Sequence, residues 1–204
     1  MSLHVVHLRI MKQRKLLCCP RRECEAGSRH ESIMGVTIHF EGQLTDQIAY
    51  RNLVEAAKVF GQDRGWRIEP IESHETTLLR VRDEKEWDYV GPVHGIVLYP
   101  HADCDPVRLE FDRDLYIQEF TKTQFAGVET HLSVLELLKA IEPFFRNLTV
   151  EDEGEYWETR NTQLLAEHLS RSQKAIEAEL QKSSSAQMKV KTPSGRILDL
   201  YQRP

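Results

Sequence analysis

From residue 35 onward the chain alternates between two spacings of apolar residues. Val36, Ile38 and Phe40 fall at every second position between Gly35 and Leu44, with Thr37, His39 and Glu41 between them. A period of two predicts a half-buried strand. Ala49, Leu53, Ala56, Ala57 and Phe60 then recur at helical spacing, which predicts an amphipathic helix with Thr45 as its N-cap and with Gly61 and Gly65 closing it. Two short strands are expected at Arg67 to Glu72 and Thr76 to Val81, around a polar turn at Ser73 to Glu75. Pro70 confines the first of them to a sheet edge. Asp83 to Asp88 reads as an acidic loop, with Trp87 and Tyr89 folding back onto the body.

Gly95 to Tyr99 is continuously apolar, the mark of a central strand covered on both faces. The polar loop Pro100 to Pro106 separates it from Val107, Leu109 and Phe111, which alternate with Arg108, Glu110 and Asp112. That pattern predicts an antiparallel partner with a charged outer face, and a further alternation runs from Leu115 to Phe125. Leu132, Leu135, Leu138 and Ile141 mark a second helix, with Ser133 and Glu136 as a capping box and Pro143 as its stop. Leu148 to Glu158 reads as a hairpin in which Gly154 takes a positive φ. A last helix, 161–182, aligns Leu165, Leu169, Ile176 and Leu180, with Ser172 interrupting the stripe. Beyond three serines, Met188 to Val190 and Arg196 to Tyr201 flank Pro193-Ser194-Gly195 as a small hairpin, an element that needs a surface to lie on.

Strands grouped between helices, with hairpin-length connections, predict an α+β fold: an antiparallel β-sheet with about three helices packed mainly on one face. Charge then divides the chain into domains. Residues 1–33 carry seven Lys/Arg against three acids (+4), and residues 183–204 carry four against one (+3). Subtraction from the totals of 27 and 32 leaves residues 34–182 with 16 basic and 28 acidic residues, a formal charge of −12. The expected organisation is a disordered basic extension over 1–33, a single acidic α+β domain over 34–182, and a polar linker with a basic tail over 183–204.

The basic opening segment lacks the continuous apolar core of a secretory signal, because His4, His7, Arg9 and Lys12 interrupt it. An organelle-targeting peptide, a membrane-surface arm palmitoylated at Cys18 or Cys19, and an extension upstream of a second start at Met34 are the three readings of it. The last is favoured, since patterned structure begins only after Met34. No run of about 18 apolar residues occurs, so no transmembrane segment and a cytoplasmic location are expected. Three of the four cysteines lie in the first 33 residues, which argues against a disulfide scaffold. Cys19, Cys24 and His30 lack the short paired spacing of a zinc knuckle.

Candidate chemistry gathers in three places. His94, with His101, Asp103 and Asp105 on the loop after the central strand, offers hard and borderline donors that one divalent metal ion could use to activate water in a small hydrolase. The alternative is a solvated loop whose aspartates cap turn amides. Cys104 beside them is a poor nucleophile, because Asp103 and Asp105 raise the thiol pKa. The second place is a mixed-charge sheet surface with Arg108, Glu110, Asp112, Glu119, Lys122 and Gln124, which would form either an ion-pair ladder or a binding face. Glu110 and Glu119 could also serve as paired carboxylates. The third is the acidic hairpin with Glu153, Glu155, Tyr156 and Trp157, in which aromatics could anchor and carboxylates steer a basic partner. His39 and His168 are expected to be structural.

An acidic body disfavours nucleic acid, whose binding rests on Lys and Arg. The expectation is therefore a non-enzymatic binding module without a cofactor, an inhibitor, immunity factor or adaptor, that recognises a basic protein surface. The metal-dependent hydrolase is the competing expectation.

Overall fold

The computed structural model describes residues 35–82, 85–182 and 186–202. The proposed N-terminal extension with its Cys19, Cys24 and His30 set, residues 83 and 84 of the acidic loop, and the serine linker 183–185 lie outside the described residues.

In chain order the elements are β1 (Thr37–Leu44), α1 (Gln47–Asp63), β2 (Arg67–Arg82), β3 (Lys85–Tyr99), β4 (Val107–Phe111), β5 (Tyr116–Lys122), α2 (Gly127–Ile141), a 3-10 turn (Glu142–Phe144), β6 (Phe145–Asp152), the single-turn α3 (Tyr156–Thr159), α4 (Thr162–Lys182), β7 (Ala186–Lys191) and β8 (Ile197–Gln202). The fold is α+β. One antiparallel sheet has the order β5-β1-β6, a second has the order β2-β3-β4, and β7-β8 form a hairpin. Backbone bonds from Asp105 N–H to the Lys122 carbonyl (2.9 Å) and from Asp112 N–H to the Tyr116 carbonyl (3.1 Å) fasten β4 to β5 at both ends, so the two sheets meet edge to edge. No helix among the described residues is long and apolar enough to cross a membrane.

The main core joins Ile38 and Phe40 of β1, Ile96 and Leu98 of β3, Leu109 and Phe111 of β4, and Ile117 of β5 to Leu53 of α1 and Leu135 and Leu138 of α2. A smaller cluster packs Leu165 and Leu169 of α4 against Val36, Val128 and Leu132. β1 is covered on both faces rather than half-buried, because it pairs with β5 and β6 and its polar members Thr37 and His39 are themselves buried.

Helix ends differ from the pattern-based reading for local chemical reasons. Asp46, not Thr45, caps α1, its carboxylate accepting from the amides of Ile48 and Ala49 (both 2.8 Å). Gly61 lies inside α1, where its lack of a side chain lets Leu98 and Ile68 approach. Helix α2 begins at Gly127, close to the start near Glu129 that its apolar stripe allows, and has no side-chain cap, so Ser133 and Glu136 do not form a capping box. Asn161 does cap α4, accepting from Gln163 and Leu164 amides at 3.0 and 3.1 Å.

The largest departure is the β2–β3 ribbon. The two expected short strands are one strand of 16 residues, in which Ser73 to Thr76 form a register shift instead of a turn, and the expected loop from Lys85 onward belongs to β3. The ribbon is held by a buried arginine. Arg80 Nη1 donates to the Gln118 carbonyl at 3.0 Å, and Nη2 lies 3.6 Å from an Asp112 oxygen. The Gln118 side-chain amide adds a paired contact to the Val81 N–H and carbonyl, at 2.8 and 2.7 Å.

Candidate functional site

The hairpin β7–β8 lies against the end of β5, where Ile197 is buried and Arg196 makes the principal charged contact. Arg196, between the Thr192 to Gly195 turn and β8, points its guanidinium into a niche formed by Glu119, Phe120 and Asp105. Its Nη2 donates to Glu119 Oε2, its Nη1 donates to the Phe120 carbonyl, and its carbon centre stacks 4.1 Å from the Phe120 ring centroid. Asp105 Oδ2 is 3.8 Å from Nη1, and Oδ1 accepts the Ile197 amide at 2.5 Å. Only 15% of the Arg196 side chain and 11% of Glu119 remain exposed, so the pair is more than a surface salt bridge. Lys189 adds a longer contact to Asp103 at 3.6 Å and lies over Phe125.

Burial pushes the Asp105 carboxyl above its ordinary value, and the pull of Arg196, the Ile197 amide and Lys122 does not fully offset it. An arginine is the fitting occupant of such a niche, because its planar fork meets a carboxylate, a carbonyl and an aromatic face at once, and it is easier to desolvate than an ammonium.

The expected metal set is not brought together. His94 pairs with Phe111 at one end of β4, whereas Asp105 precedes the other end, where Leu98 pairs with Val107. His101 Nδ1 accepts the Asp103 amide at 3.0 Å, as in a solvated turn, and Asp105 faces the hairpin. Among the described residues no group of three or more His, Cys, Asp and Glu side chains converges on one point. Cys104 is buried, and burial together with the Asp105 charge pushes its thiol well above the usual range.

The mixed-charge strand surface turns largely inward. Glu110, Asp112, Lys122 and Gln124 are buried, because the sheets meet at β4–β5 and the ribbon and α4 cover them. Arg108 Nε donates to Glu110 at 3.2 Å. Asp112 accepts the amides of Asp114 and Tyr116 at 2.9 and 3.0 Å. Gln124 Oε1 accepts the Val36 amide at 2.8 Å and lies 3.4 Å from the Ser172 hydroxyl, which explains why the α4 stripe breaks at a serine. Glu110 is held by Arg108 and Glu119 by Arg196.

Glu153, Glu155, Tyr156 and Trp157 do not lie on a hairpin. After β6 the chain turns into α3, and it is Glu155, at φ 58°, and not Gly154 that takes the left-handed conformation. Gly154 is needed for closeness, since an added Cβ would be 2.5 Å from a Leu165 methyl and 3.1 Å from His131. Tyr156 and Trp157 pack against the core while Lys139 and Arg160 cover their rings. Glu153 accepts the Thr37 amide at 2.9 Å and is 3.7 Å from His39, and Glu155 is 3.4 Å from His168.

No protein family, curated protein or solved structure matches this chain. Function must therefore be argued from its own groups. One buried line looks catalytic in its order: Thr123 Oγ1 is 2.7 Å from His131 Nδ1, and His131 Nε2 is 3.0 Å from Asp152 Oδ1. Thr123 and His131 are fully buried, however, and Asp152 also accepts amides of Gly154, Tyr156 and Trp157. The N–H of Nε2 is poorly aligned with the carboxylate, so the contact is electrostatic more than a linear hydrogen bond. The line is a lock between β5, α2 and β6, closed to substrate. The sequence places Thr123 and His131 on the same mixed-charge stretch but does not join them to Asp152, and it gives no role to Arg196 and Phe120. The usable signal for the latter was a lone arginine between a turn and an alternating apolar run, opposite an acidic strand.

Proposed function

We propose that the chain is a non-enzymatic binding and regulatory module, of the inhibitor, immunity-factor or adaptor kind, that recognises an arginine-bearing segment of a basic protein partner. The observation that carries this reading is the capture of Arg196 by Glu119, Asp105 and Phe120. The chain's own basic hairpin serves as a stand-in for the partner segment. A two-stranded hairpin is marginal by itself, so a partner presenting a similar arginine can displace it. The −12 charge of residues 34–182 favours encounter with such a partner and makes it sensitive to salt.

The test is a fluorescence-anisotropy titration with a labelled hairpin peptide bearing one central arginine, against the full chain and its Arg196→Ala variant. Vacating the niche raises affinity at least tenfold, Glu119→Gln in the same variant removes the gain, and a lysine peptide binds more weakly than the arginine peptide. Equal affinity of the unmodified chain and both variants contradicts the reading.

A further inference from the structure

A second site lies in a cleft of about 740 Å³ between α1 and the β2–β3 ribbon. Tyr50, Val54, Lys58 and Gln62 form one stripe of α1 along it, facing Ile68, Pro70 and Ile96 across an apolar floor. It is an open groove whose lining mixes apolar and polar side chains, with Gln62, Pro70 and Glu72 exposed along it.

The two ends of the cleft differ in charge. At one end Glu72 stands directly opposite His94 in the β2–β3 register, and the His94 ring meets Tyr50 edge-on with centroids 4.5 Å apart. Burial lowers the His94 imidazole below its ordinary value, against the opposing pull of Asp112 and Glu72, and Glu72 is the acidic side chain of the lining at this end. At the other end stand Lys58 and Gln62. None of the side chains of Tyr50, Lys58, Gln62, Glu72 and His94 makes a hydrogen bond or ion pair among the described residues. Elsewhere several arginines are claimed by carboxylates: Arg64 by Glu136, Arg67 by Glu69, Arg108 by Glu110 and Arg196 by Glu119.

Tyr50 and Lys58 are eight residues apart on one helix, which separates the two ends by about 12 Å. An extended peptide rises about 3.3 Å per residue, so three to four residues span that distance. Pro70 removes one backbone donor from the β2 edge, which leaves the ends and the apolar floor, not an added strand, to hold the occupant.

We propose that this cleft binds a short, extended, apolar peptide, with its free amino group at Glu72 and its free carboxylate at Lys58 and Gln62. The site is separate from the arginine niche, and either can fail without the other.

The experiment uses the full chain and calorimetric titration with the tripeptide Val-Leu-Val, its N-acetylated form, its C-amidated form, octanoate and octylamine. The free tripeptide binds best, and each cap weakens it about fivefold, the effect of one partly exposed charge contact. Lys58→Ala abolishes the penalty for amidation alone, and Glu72→Gln abolishes the penalty for acetylation alone. Absence of binding at millimolar tripeptide overturns the proposal. So does equal binding of the capped peptides, octanoate or octylamine, which would make the cleft a generic apolar groove. The His94 Cε1 proton resonance, assigned with His94→Gln, reports occupancy independently, and binding that leaves it unmoved places the peptide elsewhere.

Discussion

Glu119 and Glu72 are carboxylates on strands of one molecule in opposite conditions. Glu119 is nearly covered and claimed by Arg196. Glu72 is exposed opposite His94, on which it exerts an electrostatic pull, and makes no hydrogen bond or ion pair among the described residues. The contrast extends to their surroundings. Around β5, the charges of Arg80, Asp105, Asp112 and Asp152 are all engaged inside the fold, while around the α1 cleft the polar groups await partners. The residue type is the same on both sides, so what decides its role is whether the chain itself supplies the countercharge. On the first side a charge change is read out as stability, and on the second as binding.

Substitutions at five positions break or sharpen this contrast. Arg80→Ala has the largest effect: it uncovers the buried Asp112 carboxylate and empties a fully buried site, at a cost of about 3 kcal/mol in urea unfolding. Arg80→Met, which keeps the packing, costs less.

Asp152→Asn follows, at about 2 kcal/mol near neutral pH, because a buried acceptor of three amides that also faces His131 loses its charge. Burial alone would raise the Asp152 carboxyl, but His131 and the Trp157 and Gly154 amides hold it below its usual 3.8. Its folded pKa is depressed, so its contribution is complete above the unfolded-state value and is lost as pH falls through the folded one. The stability gap between the parent and Asp152→Asn therefore narrows below about pH 4, measured by unfolding at a series of pH values.

Asp105→Asn changes stability by less than about 1 kcal/mol, since relief of a buried charge offsets the weakened attraction to Arg196 and an acceptor for the Ile197 amide remains. Lys58→Ala and Glu72→Gln come last, within about 0.5 kcal/mol of the parent. A loss above about 1 kcal/mol at either would show that the cleft charges are already spent on folding, and the contrast would fail.

The strand alternations at Val36–Phe40 and Val107–Phe111 and the helical stripe from Ala49 to Phe60 were legible because each has a clear apolar period, although β1 and most of β4 are buried on both faces. The β2–β3 ribbon was not, since a bulge at Ser73 to Thr76 carries turn-like residues without turning the chain. The α3 turn was missed for a related reason: the left-handed residue is Glu155, and a glycine stands next to it for a different purpose. Acidity along β4 and β5 was legible, but its availability was not. Whether Glu110 or Asp112 faces solvent depends on edge-to-edge docking of two sheets and on an arginine 32 residues upstream of Asp112, which local pattern does not encode. Of the candidate metal residues, His94 does line a cleft, but with Tyr50 and Glu72 instead of the aspartates that share its stretch of sequence.

The most direct measurement is amide hydrogen exchange of the unmodified full chain during titration with the single-arginine hairpin peptide. If partner and hairpin share the niche, protection of β7 and β8 falls in proportion to peptide bound, while the β1 and β5 ladder stays protected. Saturable binding of the peptide with β7 and β8 still fully protected would contradict the account.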